Sequence, residues 1–211
     1  MRVPFRVPFF FPWIYPDLLW RVNTSEKNIY LTFDDGPVPG ATEFVLQTLK
    51  AYEAQATFFC IGDNIRKHPS IFEYLKKSPH RLGNHTFNHL KAWRTSDEAY
   101  LQNILQCDEL LGVYEKSSKK LFRPPYGQIS KSKIKLLSPY KIIMWDVLTQ
   151  DYNSGISAER CLRGTIQATR PGSIVVFHDS YKAERNMNYA LPRFLDHFKN
   201  KGYSFHAIAT Q

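Results

Sequence analysis

From residue 28 onward the chain alternates short apolar runs with stretches of helical period, and that alternation constrains its fold more than any other feature. Asn28 to Phe33 (NIYLTF) reads as a strand running into Asp34, followed by a helix over Thr42 to Tyr52 with Phe44, Val45, Leu49 and Tyr52 on one stripe. Ala56 to Ile61 is the next strand and Pro69 to Lys77 a helix opened by proline. His80 to Asn84 forms a very short third strand, and Ser96 to Tyr114 is the clearest helix, with Ser96 as its cap. Further strands follow at Lys120 to Arg123, Lys141 to Trp145, Ser173 to Phe177 and Tyr203 to Ala207. Helices at Ser130 to Leu137, Ser157 to Thr169 and Leu191 to Asn200 separate them. About seven strands with helices between them make a parallel sheet covered by helices, either an open wound sheet or a (β/α) barrel.

The placement of reactive residues decides between the two. Asp34 and Asp35 follow the first strand, His85 the third, Arg123 ends the fourth, Asp146 and Asp151 follow the fifth, and His178 with Asp179 ends the sixth. Polar groups delivered by five strand ends imply one shared site, the hallmark of a barrel mouth. An open sheet would collect them at a single switch point. The expected architecture is a single-domain α/β fold, a distorted barrel of about seven parallel strands.

Residues 1–22 stand apart. Prolines at 4, 8, 12 and 16 interrupt an apolar run, so neither a transmembrane helix nor a signal peptide is expected there. The segment is read as an extension that packs Phe9, Phe10, Phe11 and Trp13 against the barrel, leaving 23–211 as the domain that carries the shared site. Peripheral membrane contact is the alternative. The net charge of +9 favours anionic partners, but the basic residues are scattered, and the densest run, Lys116 to Lys120, reads as a solvated face. Nucleic acid is therefore not expected as a partner. Cys60, Cys107 and Cys161 are too far apart and too few for a disulfide framework and are read as free thiols.

Asp35, His85 and His89 form the strongest local constellation. A pair of histidines four apart is common by chance, but these lie in GNHTFNH, directly after a strand, in a loop with little apolar material to bury them. With one carboxylate they make a two-histidine set for a divalent cation with open coordination positions. Side chains alternate along extended backbone, so one of the adjacent aspartates can hold the metal while Asp34 reaches the water bound to it. That division suits hydrolysis, since a metal lowers the pKa of bound water to about 7 and a carboxylate can take its proton. DDGPVPG read only as a turn would leave the two histidines without a companion.

Residues 28–208 resemble the polysaccharide deacetylases, the NodB-homology group of carbohydrate esterases. The resemblance rests on TFDDGP at Thr32 to Pro37, HTFNH at His85 to His89, RPPYG at Arg123 to Gly127, WDVLTQDY at Trp145 to Tyr152 and VVFHD at Val175 to Asp179. It implies a zinc-like ion on Asp35, His85 and His89, with cobalt, nickel or manganese as substitutes. It further implies that Asp34 is the catalytic base, oriented by Arg123, and that His178 is the general acid, kept protonated by Asp151. Pro124, Tyr126, Trp145, Tyr152 and Val176 would form the substrate wall, with the Tyr126 N–H facing the developing oxyanion. The fourth motif departs from the family pattern at Leu148 and Tyr152 and the fifth at Val176, all on the pocket wall.

The activity implied is hydrolysis of N-acetyl groups on an N-acetylglucosamine-containing glycan, peptidoglycan-like or chitin-like. An O-deacetylase acting on acetylated xylan is the nearest alternative, and a non-catalytic glycan-binding module or a two-histidine iron oxygenase come from other classes. The lack of a convincing signal peptide points to the cytoplasm, the family resemblance to the cell envelope.

Overall fold

A computed structural model describes residues 4–112 and 119–209; the end of the helix expected to reach Tyr114 and part of the basic run at Lys116 lie outside them. The elements follow the sequence reading closely. They are α1 (Phe11–Ile14), β1 (Asn28–Asp34), α2 (Ala41–Ala51), β2 (Thr57–Cys60), α3 (Gly62–Lys67), α4 (Pro69–Lys76), β3 (Arg81–Asn84) and α5 (Asp97–Leu111). There follow β4 (Lys120–Phe122), α6 (Lys131–Leu136), β5 (Tyr140–Ile142), β6 (Val147–Leu148), α7 (Ala158–Ala168), β7 (Ile174–His178), α8 (Glu184–Lys199) and β8 (Ser204–His206).

All strand pairs are parallel, in the order β5-β4-β3-β2-β1-β7-β6, with β8 also pairing β1. This is the expected curled, distorted barrel. Alternation along the strands divides the core into two layers. Ile29, Leu31, Phe33, Phe58, Val175 and Phe177 point outward beneath the helices, where Phe33 stacks 5.0 Å from Phe58 and Phe177 meets Phe194 of α8 edge-on. Phe59, Leu121, Ile143, Ile174 and Ile208 form a second cluster that includes the alternate β2 and β7 positions.

Two differences from the sequence reading have local causes. The last helix begins at Glu184, seven residues before Leu191, and continues through Pro192. Proline is disfavoured inside a helix, but burial of Met187, Ala190, Leu191, Phe194, Leu195 and Phe198 on one stripe outweighs the lost bond. α3 was not expected because six residues are too short to show a period.

The N-terminal segment lies in the gap between the two edge strands. Leu19 bridges Ile143 beyond the end of β5, Arg6 bridges Val147 of β6, and Arg21 bridges Ser173. The Leu19 N–H donates to Ile142 at 2.9 Å, Met144 N–H to Leu19 at 2.8 Å, and Leu148 N–H to Phe5 at 2.8 Å. Edge groups that an open sheet would expose are thereby paired. Leu18 and Trp20 are buried, and Phe11 packs on Trp20. Phe9, Phe10 and Trp13, expected to pack inward, instead face solvent. The single turn of α1 is the reason: residues 9 and 13, and 10 and 14, share its outer side, while Phe11 and Tyr15 take the inner side. No helix among the described residues is long and apolar enough to cross a membrane.

Candidate active site

Register brings the first two functional side chains together. β1 and β7 pair so that Thr32 neighbours Val176 and Asp34 neighbours His178, with partners on one face of the sheet. Asp35, next in the chain, would point the opposite way on extended backbone. A φ of +86° at Asp35 turns the chain out of the strand, and its carboxylate lies 3.4 Å from His89 Nε2 and 3.8 Å from His85 Nε2.

Unusual backbone concentrates here. Of the six described non-glycine residues with positive φ, Asp35, Thr86, His89 and Tyr126 lie in the loops that form the cleft and Gln150 adjoins Asp151; only Glu53 is elsewhere. Such conformations cost on the order of 1–3 kcal/mol each and persist where surrounding contacts over-determine them. The contacts are visible. Asn64 Nδ2 donates to the Asp35 carbonyl at 2.6 Å, Asn103 Oδ1 accepts from Phe87 N–H, and Asn84 Oδ1 accepts from Thr86 N–H. Asn84 Nδ2 is tied in turn to Asp108 at 2.7 Å, a carboxylate that also accepts from Lys120 and Tyr140. Below Asp35, Asp179 accepts from Gly36 N–H and from the Thr42 hydroxyl; a Cβ on Gly36 would sit 1.9 Å from the Asp179 carboxylate, so glycine is required. Burial, with a smaller push from the Asp35 charge, raises the Asp179 pKa to about 8.

The three metal-type donors fit a cation. One atom each from Asp35, His85 and His89 lies within 4.8 Å of the others, while ligands of a tetrahedral zinc are about 3.4 Å apart for bonds of ~2.1 Å. Asp35 Oδ1 is buried without a hydrogen-bond partner, an arrangement that a bound cation would satisfy. His85, in contrast to the open loop position expected, is almost wholly buried, because its loop folds across the barrel mouth. Burial, and secondarily the neighbouring His89, lowers its pKa to about 3. His85 Nδ1 contacts the Arg123 carbonyl at 2.8 Å, so a neutral ring donates there and leaves the Nε2 lone pair for a metal. Burial lowers His89 as well.

On one side of this trio stands a buried ion pair. Arg123, with no exposed surface, donates from one Nη to Asp34 Oδ1 and the Thr32 hydroxyl, both at 2.7 Å, and from its other nitrogens to the Ile143 and Met144 carbonyls. Its plane lies 4.3 Å from the Phe59 ring. The second oxygen of Asp34 lies 4.0 Å from His85 Nε2, on the side of the metal-type cluster. His178 lines the same cleft, beside Asp34 on the neighbouring strand. Its Nδ1 meets Asp151 Oδ1 at 2.7 Å and its backbone N–H donates to Asp151 Oδ2 at 2.7 Å. Burial opposes the charged ring, yet the Asp151 carboxylate, reinforced by Asp35 and Asp34, outweighs it and raises the His178 pKa to about 9. The Asp151 loop is held by Asn186 of α8, which donates to the Asp151 carbonyl.

A cleft of about 470 Å³ joins these groups, lined by Asp34, Asp35, His85, His89 and His178 and walled by Pro124, Tyr126, Trp145, Leu148, Tyr152, Val176 and Lys182. The Tyr126 turn is braced by Gly127, where φ is +64° and a Cβ would meet Trp145 at 2.5 Å. Asp146, grouped with the site by its strand-end position, lies outside it: its carboxylate pairs with Arg170 at 3.0 Å and accepts from Ser173. Asn64, Asn84, Asn103, Asp108 and Lys182 were not anticipated. Of these only Asn84, adjacent to His85 in GNHTFNH, carried a local signal.

Comparison with known proteins adds independent findings. Residues 21–144 match the family model described as polysaccharide deacetylase. A peptidoglycan-N-acetylglucosamine deacetylase of Bacillus cereus is 35% identical over 90% of both chains. A chitooligosaccharide deacetylase of Azorhizobium caulinodans is 31% identical over 75% of this chain and 77% of its own. Among solved structures, a peptidoglycan N-acetylglucosamine deacetylase superposes with a TM-score of 0.86 at 28% identity, covering 94% of each chain.

Proposed function

The chain belongs to the polysaccharide deacetylase family, and from that premise we propose that it hydrolyses the N-acetyl group of N-acetylglucosamine residues in a peptidoglycan-like or chitin-like glycan. The products are acetate and a glycan amine. One observation carries the reading: a base-type pair, Asp34 with Arg123, and an acid-type pair, His178 with Asp151, meet one trio of metal-type donors in a single cleft.

Asp35, His85 and His89 hold the divalent ion, by the donor set zinc, with cobalt, nickel or manganese able to substitute. When bound, such an ion polarises the acetyl carbonyl and acidifies water. The remaining work falls to the chain's own groups. Asp34 takes the proton of the attacking water through the oxygen that Arg123 leaves free, and water oxygen bonds to the acetyl carbon. Arg123 pairs with Asp34 in a buried setting and fixes its plane. The Tyr126 N–H meets the oxyanion that develops, a contribution of ~10²-fold or more for such a donor. His178, charged because of Asp151, then gives its proton to the sugar nitrogen as the C–N bond breaks. Val176, Leu148 and Tyr152 enclose the acetyl methyl, and Pro124, Tyr126 and Trp145 form the sugar-facing wall.

The test is acetate release from a panel of chitooligosaccharides, peptidoglycan fragments and O-acetylated xylooligosaccharides, with zinc, cobalt or chelator. Zinc-dependent acetate from the N-acetylated substrates supports the proposal. Release from acetylated xylan alone, or none from any substrate with metal bound, refutes it.

A further inference from the structure

The N-terminal turn does not line the cleft, and its outer side is the densest exposed apolar surface among the described residues. Phe9 is 74% exposed, Phe10 43%, Trp13 76% and Ile14 53%. Phe9 packs edge-on against Phe10 and Trp13, so these three side chains form one contiguous knob, with Ile14 exposed next to Trp13 in the chain. Its base is fixed. Phe11 is turned onto Trp20, Tyr15 accepts a hydrogen bond from the Trp20 indole, and Val7 N–H is bound to the Asp146 carbonyl. No charged residue occurs between Val7 and Pro16, whereas Arg6 and Arg21 flank the segment. Both arginines donate to backbone carbonyls, at Ala168 and Pro171 respectively, and neither has an acidic partner among the described residues.

We propose that this knob is a peripheral membrane anchor that inserts Phe9, Phe10, Trp13 and Ile14 into the interface of an anionic lipid surface. Two quantities select lipid over a second copy of the chain. At about 150–250 Å² for each large side chain, the exposed fractions sum to on the order of 500 Å², short of the roughly 800 Å² per partner that a stable interface buries. Tryptophan and phenylalanine favour the interfacial depth of a bilayer. The charge of +9, with Arg6 and Arg21 flanking the segment in sequence against the single acidic Asp17 between them, matches a negative surface. The groove beneath the knob is lined by Arg21, Asp146 and Arg170 and meets the catalytic cleft at Trp145, which lines both.

Co-sedimentation of the full chain with phosphatidylcholine vesicles, with and without phosphatidylglycerol, tests this. Binding is expected to the anionic vesicles, to weaken as salt is raised, and to fall at least tenfold in the Phe9→Ser/Trp13→Ser double variant. Both side chains project into solvent, so the variant should keep the parent melting temperature and acetate release. Absence of binding to anionic vesicles overturns the proposal, as does undiminished binding by the double variant. A concentration-dependent dimer that the double variant abolishes would assign the knob to self-association instead.

Discussion

Replacing Asp151 by asparagine isolates the charge that keeps the His178 ring protonated. The carboxylate accepts from His178 Nδ1 and Tyr152 N–H through one oxygen and from His178 N–H through the other. Asparagine offers a single acceptor oxygen and no charge. The His178 pKa, raised from 6.5 to about 9 in the native protein, corresponds to on the order of 3 kcal/mol in favour of imidazolium. In the variant, burial is opposed only by the weaker pull of Asp35 and Asp34, and the ring falls back towards its ordinary value. At pH 8 the protonated fraction should therefore fall by up to about 30-fold, and the alkaline limb of kcat for acetate release should move to lower pH.

The same pair contributes to folding with a definite sign. Because the folded pKa of His178 lies above its unfolded value, the stabilisation is complete below about pH 6.5 and is lost as pH rises through about 9. The melting-temperature deficit of Asp151→Asn, measured in chelator, should be largest under mildly acidic conditions and shrink towards alkaline pH. An alkaline limb that stays in place, or a stability deficit independent of pH, would show that Asp151 does not act through the His178 charge.

Asp34→Asn should lower kcat by ~10²- to 10⁴-fold while leaving zinc stoichiometry intact by elemental analysis, since the proposed ligands are untouched. His89→Ala should weaken zinc binding at least 10- to 100-fold by calorimetry, and zinc added after chelation should restore activity to the parent but not at the same concentration to the variant. Asp108→Ala strips a buried acceptor from Asn84, Lys120 and Tyr140. A loss of about 1–3 kcal/mol in urea unfolding is expected, because the buried Tyr140 hydroxyl loses its acceptor while Lys120 keeps access to solvent, with weaker zinc affinity because the Nδ2 of Asn84, which holds the Thr86 turn, keeps only its bond to Ile104.

Much of this was legible in one dimension because its cause is local. The apolar runs NIYLTF and IVVFH are continuous where parallel strands are covered on both faces, and their ends coincide with Asp34 and His178. HTFNH spans one turn, so His85 and His89 could be paired by spacing. Other features left no such trace. Asn64 and Asn103 lie in unremarkable helical sequence, and Asp108 reads as an ordinary acidic residue near the end of an amphipathic helix. Asp146 and Asp151 both follow one strand, yet the first turns to Arg170 and the second to His178.

Residue order by itself determined the alternation of strands and helices, the strand ends where reactive groups collect, and the identity of the metal-type donors, because period and spacing act over a few residues. Tertiary structure decided the rest: the β1–β7 register that sets Asp34 beside His178, the positive φ that swings Asp35 round to the histidines, the segment that seals the barrel seam, and the outward face of Phe9 and Trp13. Each of these depends on contacts between residues far apart in the chain, whose free energy exists only once the fold has brought them together.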